Sequence, residues 1–194
     1  DDSFRNKLKR QQELTDERRA DFDTFMADFD PEEFGPEFAA QVETAMQKLH
    51  QLDKKRSEIS KRSIPGGKAI FYFTDMHASF LDSITKSVLA TSDGQIAVKL
   101  NAYSAFLKSK ERAGVERAVM TNTFARDSFA PGVFEKFVSL VATQDSFLNE
   151  FLVLATPEDK EFLTQTMKGS DVDHVTSVRA VALQGASAES LGQD

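Results

Sequence analysis

The sequence predicts an all-α protein built from antiparallel helical bundles, and three observations carry that prediction. Proline and glycine are scarce and cluster at a few points: Asp30-Pro31, Gly35-Pro36, Ile64-Pro65-Gly66-Gly67, Ser92-Asp93-Gly94, Ala130-Pro131-Gly132, Thr156-Pro157 and Gly169-Ser170. The long segments between them carry apolar residues at helical spacing. None sustains the period-two alternation of a half-buried strand.

The first helix is expected over about Ser3 to Phe29, with Phe4, Leu8, Gln11, Phe22, Phe25 and Phe29 on one face. A second follows from about Pro36 to Arg62 and aligns Phe38, Val42, Ala45, Leu49, Leu52 and Ile59. The third runs from about Lys68 to Ala90 on Ile70, Phe73, His77, Phe80, Ile84 and Val88. A long fourth spans Ile96 to Phe124, entered through Ser92-Asp93-Gly94. The fifth starts near Pro131, with Ser128 as a candidate cap, and aligns Phe134, Phe137, Val141, Gln144, Leu148 and Phe151. In the sixth, Thr156 is the expected N-cap and Pro157 the first helical residue. Glu158 and Asp159 occupy its first turn, where the helix dipole favours acids. Gly169 is expected to end it, and a last helix covers about Val172 to Leu183. About seven helices with short connections imply antiparallel packing. Seventeen phenylalanines and no tryptophan point to a core filled by flat rings.

At 194 residues the chain can bury a sizeable core. One helical domain is expected over 1–185, with a flexible polar tail over 186–194. A net charge of −7 argues against a general nucleic-acid binder, which needs a basic face to release counterions. The absence of cysteine removes disulfides, thiolate metal sites and cysteine nucleophiles. No run of ~20 apolar residues suggests a bilayer span, and the opening Asp-Asp-Ser-Phe-Arg-Asn-Lys does not resemble a signal peptide. The chain is expected to be soluble as given, including as an excised piece of a membrane protein.

Candidate chemistry concentrates on the fourth helix. Ile96, Leu100, Tyr103, Leu107, Lys110, Gly114, Arg117, Thr121 and Phe124 recur at spacings of four and three, which places them on one face. Read as the inward stripe, that face turns Lys110 and Arg117 toward the interior. An unpaired buried charge costs several kcal/mol, and neither cation has an acid three or four residues away. Each then needs an anion from another helix or from solution. Gly114 removes side-chain volume between them and admits a ligand or a helix. The guanidinium fork of Arg117 matches a planar oxyanion. The structural alternatives are pairing of Arg117 with an acid such as Asp75 or Asp145, and a Lys110 whose ammonium reaches water. Glu116 reads as an orienting acid or as a surface partner of Arg112. Gln144 must be hydrogen-bonded within its apolar stripe, to an anion or to a neighbouring helix. Arg179, on the last helix with Val175 and Ala182, is a weaker second guanidinium.

The segment Asn101-Ala-Tyr-Ser-Ala-Phe-Leu-Lys-Ser-Lys-Glu-Arg-Ala-Gly-Val-Glu-Arg-Ala118, followed by Phe129-Ala-Pro-Gly-Val-Phe134 and Ala142-Thr-Gln-Asp-Ser-Phe-Leu148, resembles the bacterial nitrate- and nitrite-sensing (NIT) domain. A weaker likeness reaches upstream to Phe4 through Tyr72-Phe-Thr-Asp-Met76, and downstream to Arg179 in Val178-Arg-Ala-Val-Ala-Leu183. The resemblance implies two packed four-helix-type bundles that bind a small anion, nitrate or nitrite. It makes Arg117 a nitrate contact and matches Gln144. It further implies an extracytoplasmic, periplasmic domain of an inner-membrane receptor, such as a chemotaxis transducer. Such a receptor is dimeric when intact and meets the membrane only through flanking helices absent from this chain. The family's Arg-Gly pair in an opening helix and Pro-x-x-Trp segment in a closing helix have no counterpart here, so the chain is expected to be the membrane-distal part with truncated terminal helices.

The expected ligand-binding set is therefore Arg117, Gly114, Lys110, Gln144 and Arg179. His50, His77 and His174 form no metal-ligand spacing, and His77 reads as a satisfied core histidine. No catalytic constellation, metal or cofactor is expected. The alternatives to an anion sensor are a helical sensor for an amino acid or carboxylate, and a ligand-free dimerisation module.

Overall fold

A computed structural model describes residues 2–185; the tail expected to fray lies outside them. Among these residues the chain is helical, with no strand. The helices are α1 (Asp2–Asp28), α2 (Pro36–Leu49), α3 (Leu52–Ser60), α4 (Gly66–Ser87), α5 (Gly94–Ala125), α6 (Val133–Leu154), α7 (Pro157–Thr166) and α8 (Ser170–Gln184). Short 3-10 turns at Pro31–Phe34 and Val88–Ala90 complete the path.

Helix α2 and helix α3 are the expected second helix broken at His50-Gln51. The Gln51 amide donates to the Lys48 carbonyl at 3.1 Å, a tightened bond. The same carbonyl accepts the Tyr72 hydroxyl at 2.9 Å. A side chain inserted into the ladder is a recognised cause of such a break. Counted as one, the two segments restore the seven expected helices. Thr156 caps α7 as its sequence predicts, accepting the Asp159 amide at 3.2 Å. Asp93 caps α5 through the amides of Gln95 and Ile96. Ser128 does not cap α6. Its hydroxyl turns back to the Arg126 carbonyl, and Gly132, at φ +75°, leads into the helix. Gly169 precedes α8 rather than ending α7, which stops at Thr166.

Two antiparallel groups form. In the first, Leu49, Leu52, Tyr72 and Met76 make a core shared by α2, α3 and α4, and Phe22 of α1 packs on it. Four rings, Phe25, Phe29, Phe34 and Phe38, stack along the turn from α1 to α2. In the second group α5 lies along α6. Ala102 and Ala105 meet Phe151 at one end, and Met120 meets Phe137 and Ala182 at the other. Helix α4 joins the groups through Thr85 to Ser104, at 2.9 Å, and His77 to Glu111, at 3.0 Å.

These pairings fix the directions of α1 and α8. Asp16 and Arg19 of α1 pair with Arg56 and Asp53 of α3, so the first turns of α1 lie beyond the α3–α4 turn. Arg179 and Ala182 follow Glu116 and Met120, so α8 runs parallel to α5. The start of α1 and the end of α8 therefore share one end of the bundle with the α3–α4 and α5–α6 turns.

By length and mean hydropathy, α6 is long and apolar enough to cross a bilayer, against the sequence expectation of no such stretch. Only one face of it is buried, through Phe137, Leu140, Gln144 and Phe151 against α5 and its neighbours.

Candidate functional site

The structure rotates α5 away from the expected phase. Lys110 and Arg117 are exposed, and their side chains form no ion pair or hydrogen bond among the described residues. Tyr103 is 53% exposed and Ile96 48%. A Cβ added at Gly114 meets nothing within 4 Å, so no helix approaches it. The buried residues are instead Ala102, Ser104, Ala105, Val115, Glu116, Met120 and Thr123. Helix α5 has two contact faces. Ser104 and Glu111 turn to α4, while Ala102, Ala105, Ser109, Glu116 and Met120 turn to α6. Small residues win these faces because the rings of α6, such as Phe151 and Phe137, supply the volume. The larger Tyr103 and Ile96 are left outside.

His77 is likewise exposed rather than in the core, with its Nδ1 3.0 Å from Glu111. Asp75 pairs with Lys48 at 2.7 Å, not with Arg117.

The buried chemistry belongs to Glu116, Gln144 and Arg179. Glu116 is only 5% exposed and Gln144 7%. Arg179 Nε donates to Glu116 Oε1 at 2.6 Å, and Nη2 donates to Oε2 at 2.5 Å. Nη2 also donates to Gln144 Oε1 at 2.6 Å. The Gln144 amide donates to Glu116 Oε2 and, at 3.4 Å, to the Leu140 carbonyl. Ser109 donates to the Gln144 carbonyl at 3.2 Å. The cluster thus ties α5, α6 and α8 together.

A guanidinium has five N–H donors. Nε uses its one and Nη2 its two, while Nη1 makes no hydrogen bond among the described residues. The Arg179 side chain is 27% exposed, so this edge is open to solution. The hydrogen bonds to Glu116 hold the Arg179 guanidinium above its usual range against the opposing effect of burial, and the Asp145 charge pushes weakly the same way. The cation is therefore permanent. Its charge is matched by Glu116, so any further anion meets only the outer edge.

Of the five predicted residues, Gln144 and Arg179 meet here, while Lys110, Gly114 and Arg117 lie on the outer face of α5. Glu116, expected as an orienting acid or a surface partner of Arg112, is a buried acid that holds Arg179. Gln144 and Arg179 carried a signal as polar residues in apolar stripes, whereas Glu116, with Arg112 and Ser109 on its side of α5, did not. No group of three or more His, Cys, Asp or Glu side chains among the described residues is arranged to hold a metal.

Two cavities adjoin α5. One of about 630 Å³ lies between α5, α6 and α7 and is mainly apolar, with Phe106, Phe151 and Leu163 in its wall. The other, of about 400 Å³, lies where α4 begins, beside the α5–α6 turn.

Comparison with known proteins agrees with this build. The chain is 27% identical over 122 residues to a nitrate regulatory protein of Klebsiella oxytoca, covering 63% of this chain and 31% of that protein. Its fold superposes on the NasR transcription antiterminator with a TM-score of 0.71 and 25% identity, over 76% of this chain and 40% of that one. The chain thus spans about a third of the length of the one and two fifths of the other. The family model for nitrate and nitrite sensing matches residues 1–194 in full. The chain belongs to the nitrate- and nitrite-sensing (NIT) family.

Proposed function

We propose that this chain is a non-catalytic sensor domain of a bacterial signalling protein, and that nitrate or nitrite binds at the open edge of Arg179. One observation carries the reading: a permanent guanidinium is fixed across three helices by a buried acid and a buried amide, with Nη1 left over. An oxyanion accepts an N–H bond from Nη1, the donor group that the cluster leaves free. Gln144 and Glu116 orient the fork, so little rotamer entropy is lost when the anion arrives. An anion that also touches a neighbouring element favours one packing of α8 on α5 and α6, which is the differential affinity a switch requires.

A second reading uses the outer face of α5. Lys110 and Arg117 are seven residues apart, two helical turns, and Gly114 lies between them with open space at its Cβ position. A helix laid on that face, from a second protomer or another segment, approaches closely at Gly114 and encloses both cations. This reading keeps Arg117 as the nitrate contact and makes the homodimer part of the site.

The signalling context we favour is a transmembrane, periplasm-facing receptor of the chemotaxis type. The shared end of α1 and α8 supports it, because flanking membrane helices need both connections on one side. The relatives named for nitrate regulation and transcription antitermination support a regulator with the same sensor instead.

Titration calorimetry with nitrate and nitrite tests the ligand and the site together. Arg179→Ala abolishes the heat if the first reading holds; Arg117→Ala abolishes it, and dimerisation accompanies binding, if the second does. A folded chain silent to both anions at millimolar concentration removes them as ligands.

A further inference from the structure

The two ends of this molecule differ in the balance of charge on their turns. At the end holding the turns α1–α2, α4–α5 and α6–α7 stand Asp30, Glu32, Glu33, Glu37, Asp93, Glu158 and Asp159. At the opposite end the α3–α4 and α5–α6 turns and the first turns that follow carry Lys61, Arg62, Lys68, Arg126 and Lys136 against two acids, Asp127 and Glu135. The 400 Å³ cavity opens at this basic end, and no acidic side chain lines it, although the chain has 31 acids to 24 bases.

Arg126 and Lys136 line the cavity from two elements, and neither side chain has an ion-pair or hydrogen-bond partner among the described residues. Asn122 adds an amide that spends one hydrogen on the Ala118 carbonyl, at 3.0 Å, and keeps the other. Gly66 and Gly67 form part of the wall, and their missing side chains leave open space over the backbone. Ile70 and other apolar residues complete the lining. The volume falls in the range of small-molecule sites, roughly 300–1,000 Å³. Two unpaired cations facing one hollow repel each other, and an anion between them removes that cost.

From this we infer that the cavity is a second anion site, distinct from the Arg179 edge, which takes a phosphate group carried on a small organic body or a lipid head. The cations and the Asn122 amide hold the phosphate, and the apolar wall takes the attached carbon. The site joins α4 of the first helical group to α5 and α6 of the second. Occupancy therefore stiffens the junction between the groups, independently of nitrate. Along α5, Thr123 at the cavity is seven residues from Glu116, which is about 10 Å of helix rise.

The test follows amide shifts and calorimetric heat on adding inorganic phosphate to the whole chain, in parallel with flotation on phosphatidylglycerol vesicles and on phosphatidylcholine vesicles. The expected result is saturable phosphate binding centred on Gly66, Gly67 and Arg126, at least tenfold weaker in Arg126→Glu/Lys136→Glu and unchanged in Lys168→Glu. Flotation on the anionic vesicles that phosphate reverses assigns the lipid source; phosphate binding without flotation assigns a soluble ester. Both altered residues are exposed, so the double variant keeps its fold, which its melting curve verifies. No phosphate or vesicle binding, or equal binding by the double variant, overturns the inference. Arg179→Ala should lose nitrate and keep phosphate, so failure of the nitrate reading is seen separately.

Discussion

Replacing Arg179 with alanine should release α8 while leaving the rest of the fold in place. Helix α8 is thinly anchored. Ala182 is fully buried, but Val175 and Leu183 are 49% and 47% exposed, so Arg179 is its main polar tie. The substitution strips Glu116 of the donors on both its oxygens from α8, and leaves it only the Gln144 amide. Removing one member of a buried pair costs about 3–5 kcal/mol. The Arg179 side chain keeps 27% of its exposure, which selects the lower end, about 3 kcal/mol. At 1.4 kcal/mol per factor of ten, this raises local opening roughly 100-fold. Native-state hydrogen exchange reads it directly: amides of α8 speed up by about two orders of magnitude, while those of α4 hold their rates. Glu116→Gln removes the charge left unpaired, so Arg179→Ala made in that background should cost markedly less. Exchange in α8 that rises less than about threefold, or a cost that is the same in both backgrounds, would refute the idea that this cluster holds α8.

Phe137 is fully buried among Met120, Ala182 and neighbouring rings. Phe137→Ala should cost about 3–5 kcal/mol, seen as a fall in melting temperature of roughly 6–20 °C for a domain of this size. Acid should loosen α1 before the core. The hydrogen bonds from Arg19 hold the Asp53 carboxyl below its usual range. A depressed folded-state pKa gives stability that is present above the unfolded value, ~3.9, and is lost as pH falls through the lower folded value. Exchange in α1 should therefore rise as pH drops below about 4, and Asp53→Asn should give the loosened α1 at neutral pH with little further acid dependence.

The sequence by itself determined the helices. Proline and glycine clusters mark every connection except the α2–α3 break at His50-Gln51, Thr156 caps α7 as expected, and the phenylalanine stripe of α6 faces inward as its period requires. The motif from Lys110 to Ala118 pointed to the family. Only the tertiary structure decided the rotation of α5. A helix between two neighbours has two contact faces, and its close contacts with α6 are made by Ala102, Ala105 and Ser109, which leave room for the rings opposite. Volume-based reading followed Tyr103 and Ile96, the side chains this packing leaves outside, and carried Lys110 and Arg117 inward with them. The same holds for the Glu116–Arg179 pair, 63 residues apart. Helical spacing tells which residues share a face, but which faces meet depends on how volume and charge are balanced between helices, and no single helix contains that balance.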